Sequence, residues 1–395
     1  MLLHYKYLCL LSSLALVCNV ARAQSVSIGV NGDAPSLLAR YLNWLNEPYA
    51  YLDSNYVAQQ CSKWIVSCTG SVLQSGVKLS DRVHSYVEGD LAKYSVTDIR
   101  LQERVYNDIS LTLTYRGLSI GWGVEMGRSS EKNQSFSFCW IKPYYGISAR
   151  YTDLHEFAKA DGYYESYVDD EVWSGDFGET SEYTANLREC QVDGYYAFNV
   201  HKFAYSSVYG GGVYQRRSAG SWMVGLKYMY GRIKFDSREA AFLNYVGGIS
   251  KVKTHQLSIG GGYSYNFVAF HKDGEGEQQH GLRNLTFNLT LMPMLTVLNP
   301  LIFSYESEMQ QELFGLEGSR TRHTRPQLNY TAMTGMVFST GRYSIKAQCH
   351  YDNFRFNTGT HTEPFDLFGM DAKDVNHMKG RFFHWGVSME LNVRF

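Results

Sequence analysis

The chain has 395 residues, 44% of them hydrophobic and 15% aromatic by type, with 37 basic side chains against 38 acidic ones. Thirty-one tyrosines against seven prolines exclude a disordered chain, which is poor in aromatics and rich in proline; the balanced charge implies no basic surface for nucleic acid. A mean hydropathy of −0.30 is too polar for a bundle of lipid-facing helices, leaving two ordinary globular domains or one large closed sheet with long loops.

Residues 1–23 read as a secretory signal peptide. Lys6 supplies a positive start, Leu8 to Val17 is apolar apart from Ser12 and Ser13, and Ala21-Arg22-Ala23 gives the small-x-small cleavage pattern. The apolar run is roughly half the ~20 residues of a membrane anchor, and Val17 is too bulky to precede a lipidated Cys18. The mature chain is therefore expected to begin near Gln24, outside the cytoplasm. Cys9 and Cys18 leave with the signal, and Cys61, Cys68, Cys139, Cys190 and Cys349 remain. That scattered set is no disulfide framework; Cys61 and Cys68 could bridge in an oxidising compartment or stay unpaired. No Cys/His cluster has metal-ligand spacing, so neither a metal nor another cofactor is expected.

Residues 24–70 form an expected periplasmic segment. Within it Pro35 to Asn46 predicts a short helix, with Leu37, Leu38, Tyr41, Leu42 and Leu45 on one face and Asp33 or Ser36 as the N-cap. From residue 71 to residue 395 the dominant pattern is apolar–polar alternation, the signature of half-buried strands. Twelve segments carry it: Val72–Leu79 most weakly, then Ile109–Tyr115, Leu118–Met126, Phe136–Trp140, Tyr145–Tyr151, Tyr195–Tyr205, Trp222–Tyr230, Leu257–Phe267, Leu285–Leu291, Leu328–Ala332, Tyr343–Tyr351 and Trp385–Phe395. In the last, Trp385, Leu391, Val393 and Phe395 share one face, and an aromatic residue ends the chain as in barrels delivered to a barrel-assembly machinery. Leu285 to Phe303 is long and apolar, but its spaced Thr and Asn, with Pro293 and Pro300, point to a strand entering a loop rather than a membrane helix.

Such strands suit either a soluble extracytoplasmic β-sandwich with the apolar face inside, or a transmembrane antiparallel up-and-down β-barrel with that face on outer-membrane lipid. Strands of about 9–11 residues with aromatic ends match the second, as do small polar opposite faces such as Gln256, Ser258, Gly260, Gly262, Ser264 and Asn266. Loop lengths agree. The connections Arg116-Gly117, Lys142-Pro143 and Ser339–Arg342 fall on one side, and the long stretches Ser80–Asp108, Thr152–Gly194, Leu298–Gln327 and Arg355–Arg381 on the other. Two connections on the short side, Ser207–Gly220 and Ala269–Gly281, are unusually long.

Three stretches together resemble a family of uncharacterised proteins found mainly in Bacteroidetes and named only as a domain of unknown function. They are Tyr51-Leu52-Asp53-Ser54-Asn55-Tyr56-Val57; Tyr195-Tyr196-Ala197-Phe198-Asn199 with Lys202-Phe203-Ala204-Tyr205; and Gln215-Arg216-Arg217-Ser218-Ala219-Gly220-Ser221. The resemblance implies an outer-membrane-type barrel and supplies no catalytic residues.

On the proposed phase Lys227, Lys346, His350, Asp352, Glu390 and Arg394 point inward, with Asn199, His201, Arg216, Arg217, Ser218 and Ser221 nearby. A hydrolase reading pairs His201 with Ser218 or Ser221, without any Gly-x-Ser-x-Gly elbow. The plainer reading is a polar network neutralising itself inside a narrow lumen. Thr152 to Gly194 holds twelve carboxylates against Lys159 and Arg188. It reads as a solvated surface loop, or as a weak calcium site at Asp169, Asp170 and Glu171. The sequence thus favours an outer-membrane barrel of structural, binding or narrow-pore type, its specific ligand unreadable.

Overall fold

The computed structural model describes residues 49–395 except 61, 88, 104, 127–132, 169–170, 177–184, 236–248, 276–278, 306–318 and 368–369. The signal-like segment, the helix expected at Pro35–Asn46, and Cys61 lie outside the described residues.

The strands are β1 (Val57–Gln59), β2 (Trp64–Val87), β3 (Asp90–Glu103), β4 (Tyr106–Tyr115), β5 (Leu118–Met126), β6 (Gln134–Ile141), β7 (Tyr145–Val168), β8 (Glu171–Asp176) and β9 (Ala185–Ala197). They continue with β10 (Val213–Gln215), β11 (Ala219–Phe235), β12 (Ile249–Lys272), β13 (Arg283–Leu298), β14 (Pro300–Tyr305), β15 (Ser319–His323), β16 (Gln327–Thr340), β17 (Tyr343–Leu367) and β18 (Met370–Arg394). Twelve of them close a ring in the order β11-β9-β7-β6-β5-β4-β2-β18-β17-β16-β13-β12, sealed by a long antiparallel β11–β12 ladder from Ala219↔Asn266 to Lys234↔Lys251. The first and last barrel strands, β2 and β18, pair along almost their whole length. Closure leaves no sheet edge in the ring, the condition a spanning sheet must meet in lipid.

The wall is turned inside out relative to a soluble protein. Leu111, Trp122, Trp222, Leu289, Leu291, Met389, Leu391 and Phe395 are all more than half exposed, whereas Ser258, Ser264, Asn266, Thr286, Asn288 and Thr290 are buried. Alternation within one strand makes the point: β13 runs buried and exposed by turns from Asn284 to Val297. An apolar band outside and hydroxyls and amides inside is the arrangement of a transmembrane barrel.

Short turns cluster with the chain's C-terminal end. Lys63 and Trp64 donate backbone hydrogen bonds to Phe395, Arg116 donates to Lys63, Ile141 to Gly117, and Arg394 to Arg342. The Arg116-Gly117 turn places both residues at positive φ, 49° and 86°, the two-residue hairpin that matches strand twist.

Three expectations are corrected. First, the stretches expected as long outer loops are largely strand. β2 and β3 form a hairpin, β3 then pairs β7 from Lys93↔Val168 to Glu103↔Ala158, and β17–β18 stay paired out to Leu367↔Met370. Backbone pairing continues beyond the apolar band because alternation of side chains persists there with its polarity changed. Second, the strand expected over Tyr195–Tyr205 stops at Ala197, where Phe203 N–H turns back to the Asn199 carbonyl. Third, β13 ends at Leu298, where the loop was expected to begin, and runs through Pro293 in register with Tyr330, but the expected loop instead enters a second hairpin, β14 from Pro300 paired with β15.

The inverted wall makes a sharp prediction. Leu291 is 52% exposed, so Leu291→Arg would be nearly neutral on a soluble surface. At mid-depth of a lipid-facing wall it is expected to lower stability by about 2–4 kcal/mol, measured by urea unfolding of the protein in bilayer vesicles.

Candidate functional site

Two segments fold back into the turn-bearing end of the barrel. One is residues 49–60 with β1; the other is residues 198–218, with β10 and a single helical turn α1 (Ser206–Tyr209). β1 and β10 pair from Val57↔Gln215 to Gln59↔Val213. Gly211 and Gly212, at φ +87° and +88°, make the left-handed turn between α1 and β10 that a side chain would strain. Phe203, Ala204 and Val208 have no exposed surface. Val208 sits so close to Gly335 of β16 that a Cβ there would lie 2.6 Å from it. The segments form a plug.

Gln215 holds the plug together. Fully buried, its Oε1 accepts from Ala204 N (3.0 Å) and from Asn266 Nδ2 of the wall (3.1 Å). Its Nε2 donates to the carbonyls of Lys202 (2.7 Å), Arg217 (2.9 Å) and Tyr56 (3.2 Å). Wall residues reach in as well: Asn284 donates to the Gln215 carbonyl, Asn266 to the Ala204 carbonyl, and Tyr209 donates to Asn288. Arg394 donates from its guanidinium to the Tyr214 hydroxyl, Ser339, Ser344 and the Gly341 carbonyl.

At the rim, Arg216 bonds the Ser54 carbonyl and the Asp273 carboxylate, each at 2.6 Å. The His271 hydrogen bond, with the Arg216 guanidinium behind it, holds the Asp273 carboxyl below its usual range. Lys142, in the β6–β7 turn and without exposed surface, donates to the Arg116 carbonyl at 2.9 Å and lies 5.0 Å from the Tyr49 ring centre. Burial, and then the Arg116 charge, bring its pKa down to about 8. Burial likewise pushes the Tyr49 hydroxyl up to about 12.

Beyond the plug lies a polar cavity of about 370 Å³. Serines and threonines of β2, β4, β5 and β6 line one side, and a charged layer the other. In that layer Lys227 Nζ is 2.7 Å from Asp352 and 3.4 Å from Asp193, Thr331 donates to Asp352 at 2.7 Å, and Lys346 donates to Glu390 at 2.9 Å. His350 and His384 lie 4.8 Å apart between ring centres, with His384 bonded to Ser75. Farther toward the long-hairpin end the same inward phase turns apolar. Leu79, Leu101, Ile233, Phe303, Phe354 and Phe382 help enclose a second cavity of about 100 Å³.

The other sequence candidates separate. Asn199 bonds the Gly220 carbonyl and receives no serine; it is its backbone N–H that donates to Ser221. Ser221 in turn donates to the Trp222 carbonyl, Ser218 accepts from Val268 N, and the His201 ring meets the Tyr51 carbonyl at 2.6 Å. The structure does not bring His201 and either serine together as nucleophile and base. Arg217 stacks toward Tyr56. Trp385 donates to Gln74, and Phe395 bonds the Trp64 backbone.

Asp169 and Asp170 lie outside the described residues, Glu171 begins β8, and no metal-holding cluster occurs among the described residues. The acidic stretch is not one solvated loop: Asp153 pairs with Arg188 at 3.0 Å on the wall, and Glu189 and Asp193 border the polar cavity. Gln215 and Asn266 read in the sequence only as a motif residue and a polar wall residue, and neither they nor Asn288 and Asp193 are expected there as site residues. An amide or carboxylate among inward-facing small residues was the available signal.

The fold and site define a plugged, twelve-stranded transmembrane β-barrel with a layered interior. The chain belongs to the family described as domain of unknown function DUF4421, which matches residues 52–370. A comparison with curated proteins finds no match. Among solved structures, the chain resembles the β domain of the Bordetella autotransporter BrkA, at 8% identity over 82% of this chain and 99% of that one, with a TM-score of 0.26. It also resembles the outer membrane protease OmpT from Escherichia coli, at 7% identity over 86% and 98%, with a TM-score of 0.34.

The charged layer yields a prediction. Lys227→Met leaves the Asp352 carboxylate buried without its cation, an expected loss of about 3–5 kcal/mol in urea unfolding. Adding Asp352→Leu is expected to recover most of that loss.

Proposed function

We propose that this protein is an outer-membrane binding barrel, closed to ion flow at rest, whose layered lumen receives a small ligand from the long-hairpin end. The plug is the observation that carries this reading. It fills the turn-bearing end with buried side chains bonded to the wall, where an open pore would need a continuous wet path. The two cavities above it supply the recognition surface, apolar toward the outer mouth and charged below.

The setting we infer with it rests on the sequence signals and the apolar band. Residues 1–23 export the chain, the terminal strand ending in Phe395 engages a barrel-assembly machinery, and the apolar band contacts outer-membrane lipid. The polar network, rather than a hydrolase, accounts for the lumen's charged groups, because His201, Ser218 and Ser221 each have a different partner in the plug and its attachment. No metal or cofactor enters this reading.

Planar-bilayer recording tests it. Wild-type protein is expected to give no steady current, and Gln215→Ala, which removes five hydrogen bonds made by one side chain, to give flickering conductance. Steady wild-type current would make the protein a pore. Membrane fractionation with a heat-modifiable gel shift checks the location separately.

A pH arm follows from Asp273. Its folded-state pKa lies below the ordinary 3.8, so its contribution to plug attachment is intact above that value and lost as pH falls through the lower one. Acid below pH 3.8 is therefore expected to loosen the wild-type plug and raise conductance. In Asp273→Asn this acid step disappears.

A further inference from the structure

Four cations occupy one line of register on the barrel's outer wall. Arg355 of β17 opposes Arg381 of β18, Arg381 opposes Lys78 of β2, and Lys78 opposes Arg100 of β3. Their immediate neighbours Phe354, Phe382, Val77 and Leu101 point into the inner apolar cavity, so strand alternation places all four cations outward. Lys78, Arg100 and Arg355 are exposed. Arg381 is steered by hydrogen bonds to Asn353 and the Tyr351 hydroxyl.

Like charges directly opposite across strands repel. Asp161 stands opposite Arg100 at the end of the line and Asp98 lies two residues along β3, yet the ion pairs among the described residues include none of the four cations. A second patch repeats the arrangement on another sector, where Arg232 opposes Lys253 and Lys234 opposes Lys251 across β11–β12. Among the described residues both patches hold more cations than facing carboxylates, Asp161 standing opposite Arg100 and Asp153 taken up by Arg188 beside Arg232, an excess that an anion from outside the chain can neutralise.

Height identifies the anion. On β18 the outward positions from Phe395 back to Phe383 are all apolar, and Arg381 is the next one. That stretch rises about 40 Å along the strand, or about 30 Å along the membrane normal at a tilt of about 40°. A hydrocarbon core is about 30 Å thick. Arg381 and its line therefore emerge where headgroups begin. Neighbouring strands stand about 4.8 Å apart, so two adjacent cations can straddle one phosphate, and a guanidinium fork matches phosphate oxygens two at a time.

We propose that the line Arg355–Arg381–Lys78–Arg100 binds the phosphate of a lipid headgroup in the leaflet at the long-hairpin end, with the acyl chains along the apolar band. The inference rests on the membrane setting proposed above. A binding assay on purified protein separates its failure from that of the setting, which fractionation reads.

The full chain in neutral detergent is titrated with phosphorylated lipid A, and in parallel with the same lipid after removal of its phosphates; retention is read by native mass spectrometry. Wild-type protein is expected to retain the phosphorylated form at least tenfold better. Each headgroup-level cation is worth roughly a fivefold change in affinity, so Lys78→Gln with Arg100→Gln is expected to lose more than tenfold. Arg355→Gln alone, also exposed, provides an independent single-charge loss. Lys272→Gln with Arg283→Gln, at the opposite end, is expected to leave retention unchanged. A heat-modifiable gel shift confirms folding of each variant. Equal retention of dephosphorylated lipid, or unchanged retention in both Arg355→Gln and the double variant, overturns the proposal. Displacement of the lipid by an equimolar amount of inorganic phosphate overturns it too, by assigning the line to a free anion.

Discussion

An unpaired backbone amide in hydrocarbon costs several kcal/mol, so a sheet that spans a bilayer must close on itself. Here closure falls between β11 and β12, whose sixteen registered pairs leave neither strand with an open edge at membrane depth. Everything else is conditioned by that ring. Each strand must then serve two environments at once, and the period of two is the only way it can: one phase carries Trp222, Leu226 and Leu291, the other Lys227, Thr290 and Asn288. A shift of one residue in the β11–β12 ladder would put Lys227 in lipid and Leu226 in the lumen. Register is therefore strongly specified without help from a packed core.

A ring of this size encloses more space than its side chains fill, and the three layers of the lumen are three solutions to that problem. At the turn-bearing end, polypeptide fills it; in the middle, charges and hydroxyls border a cavity; at the long-hairpin end, aromatic and aliphatic side chains meet across it. The middle layer is stable only because its charges are matched. Lys227 and Asp352 are both almost fully buried and 2.7 Å apart, a geometry in which the pair offsets its own desolvation while either member alone would not. The apolar layer shields these charges from the outer end and the plug from the other.

The strand number and the facing of each strand were legible in the sequence because both rest on local alternation. The twelve segments read from it all lie in or overlap barrel strands. What escaped was whatever depends on distant partners. Ser80–Asp108 and Arg355–Arg381 look like loops because their apolar residues are few, yet β2–β3 and β17–β18 pair there; inward Phe354 and Phe382 and outward Arg355 and Arg381 simply exchange polarity above the bilayer. The plug was invisible for a related reason. Nothing near Tyr195–Tyr205 in sequence says that its second half and the helical turn after it enter the lumen, since the groups that receive Ala204, Tyr209 and Val208 (Asn266, Asn288 and Gly335) come later in the chain.

That same plug explains why stretches far apart in sequence read as one signature. Residues 51–57, 195–205 and 215–221 meet in a single knot: Asp53 bonds His201 through the backbone, Val57 pairs with Gln215, Arg216 donates to the Tyr56 carbonyl, and Asn199 clasps Gly220. In this knot His201 Nδ1 meets the Tyr51 carbonyl, Ser218 accepts from Val268 N and Ser221 donates to the Trp222 carbonyl, so the three side chains have backbone partners rather than one another. In the reading proposed above, the role of this segment is occlusion. On that reading a solute entering from the long-hairpin end would pass Phe354 and Phe382 before reaching the Lys227–Asp352 layer, so the apolar layer would meet it before the charges do.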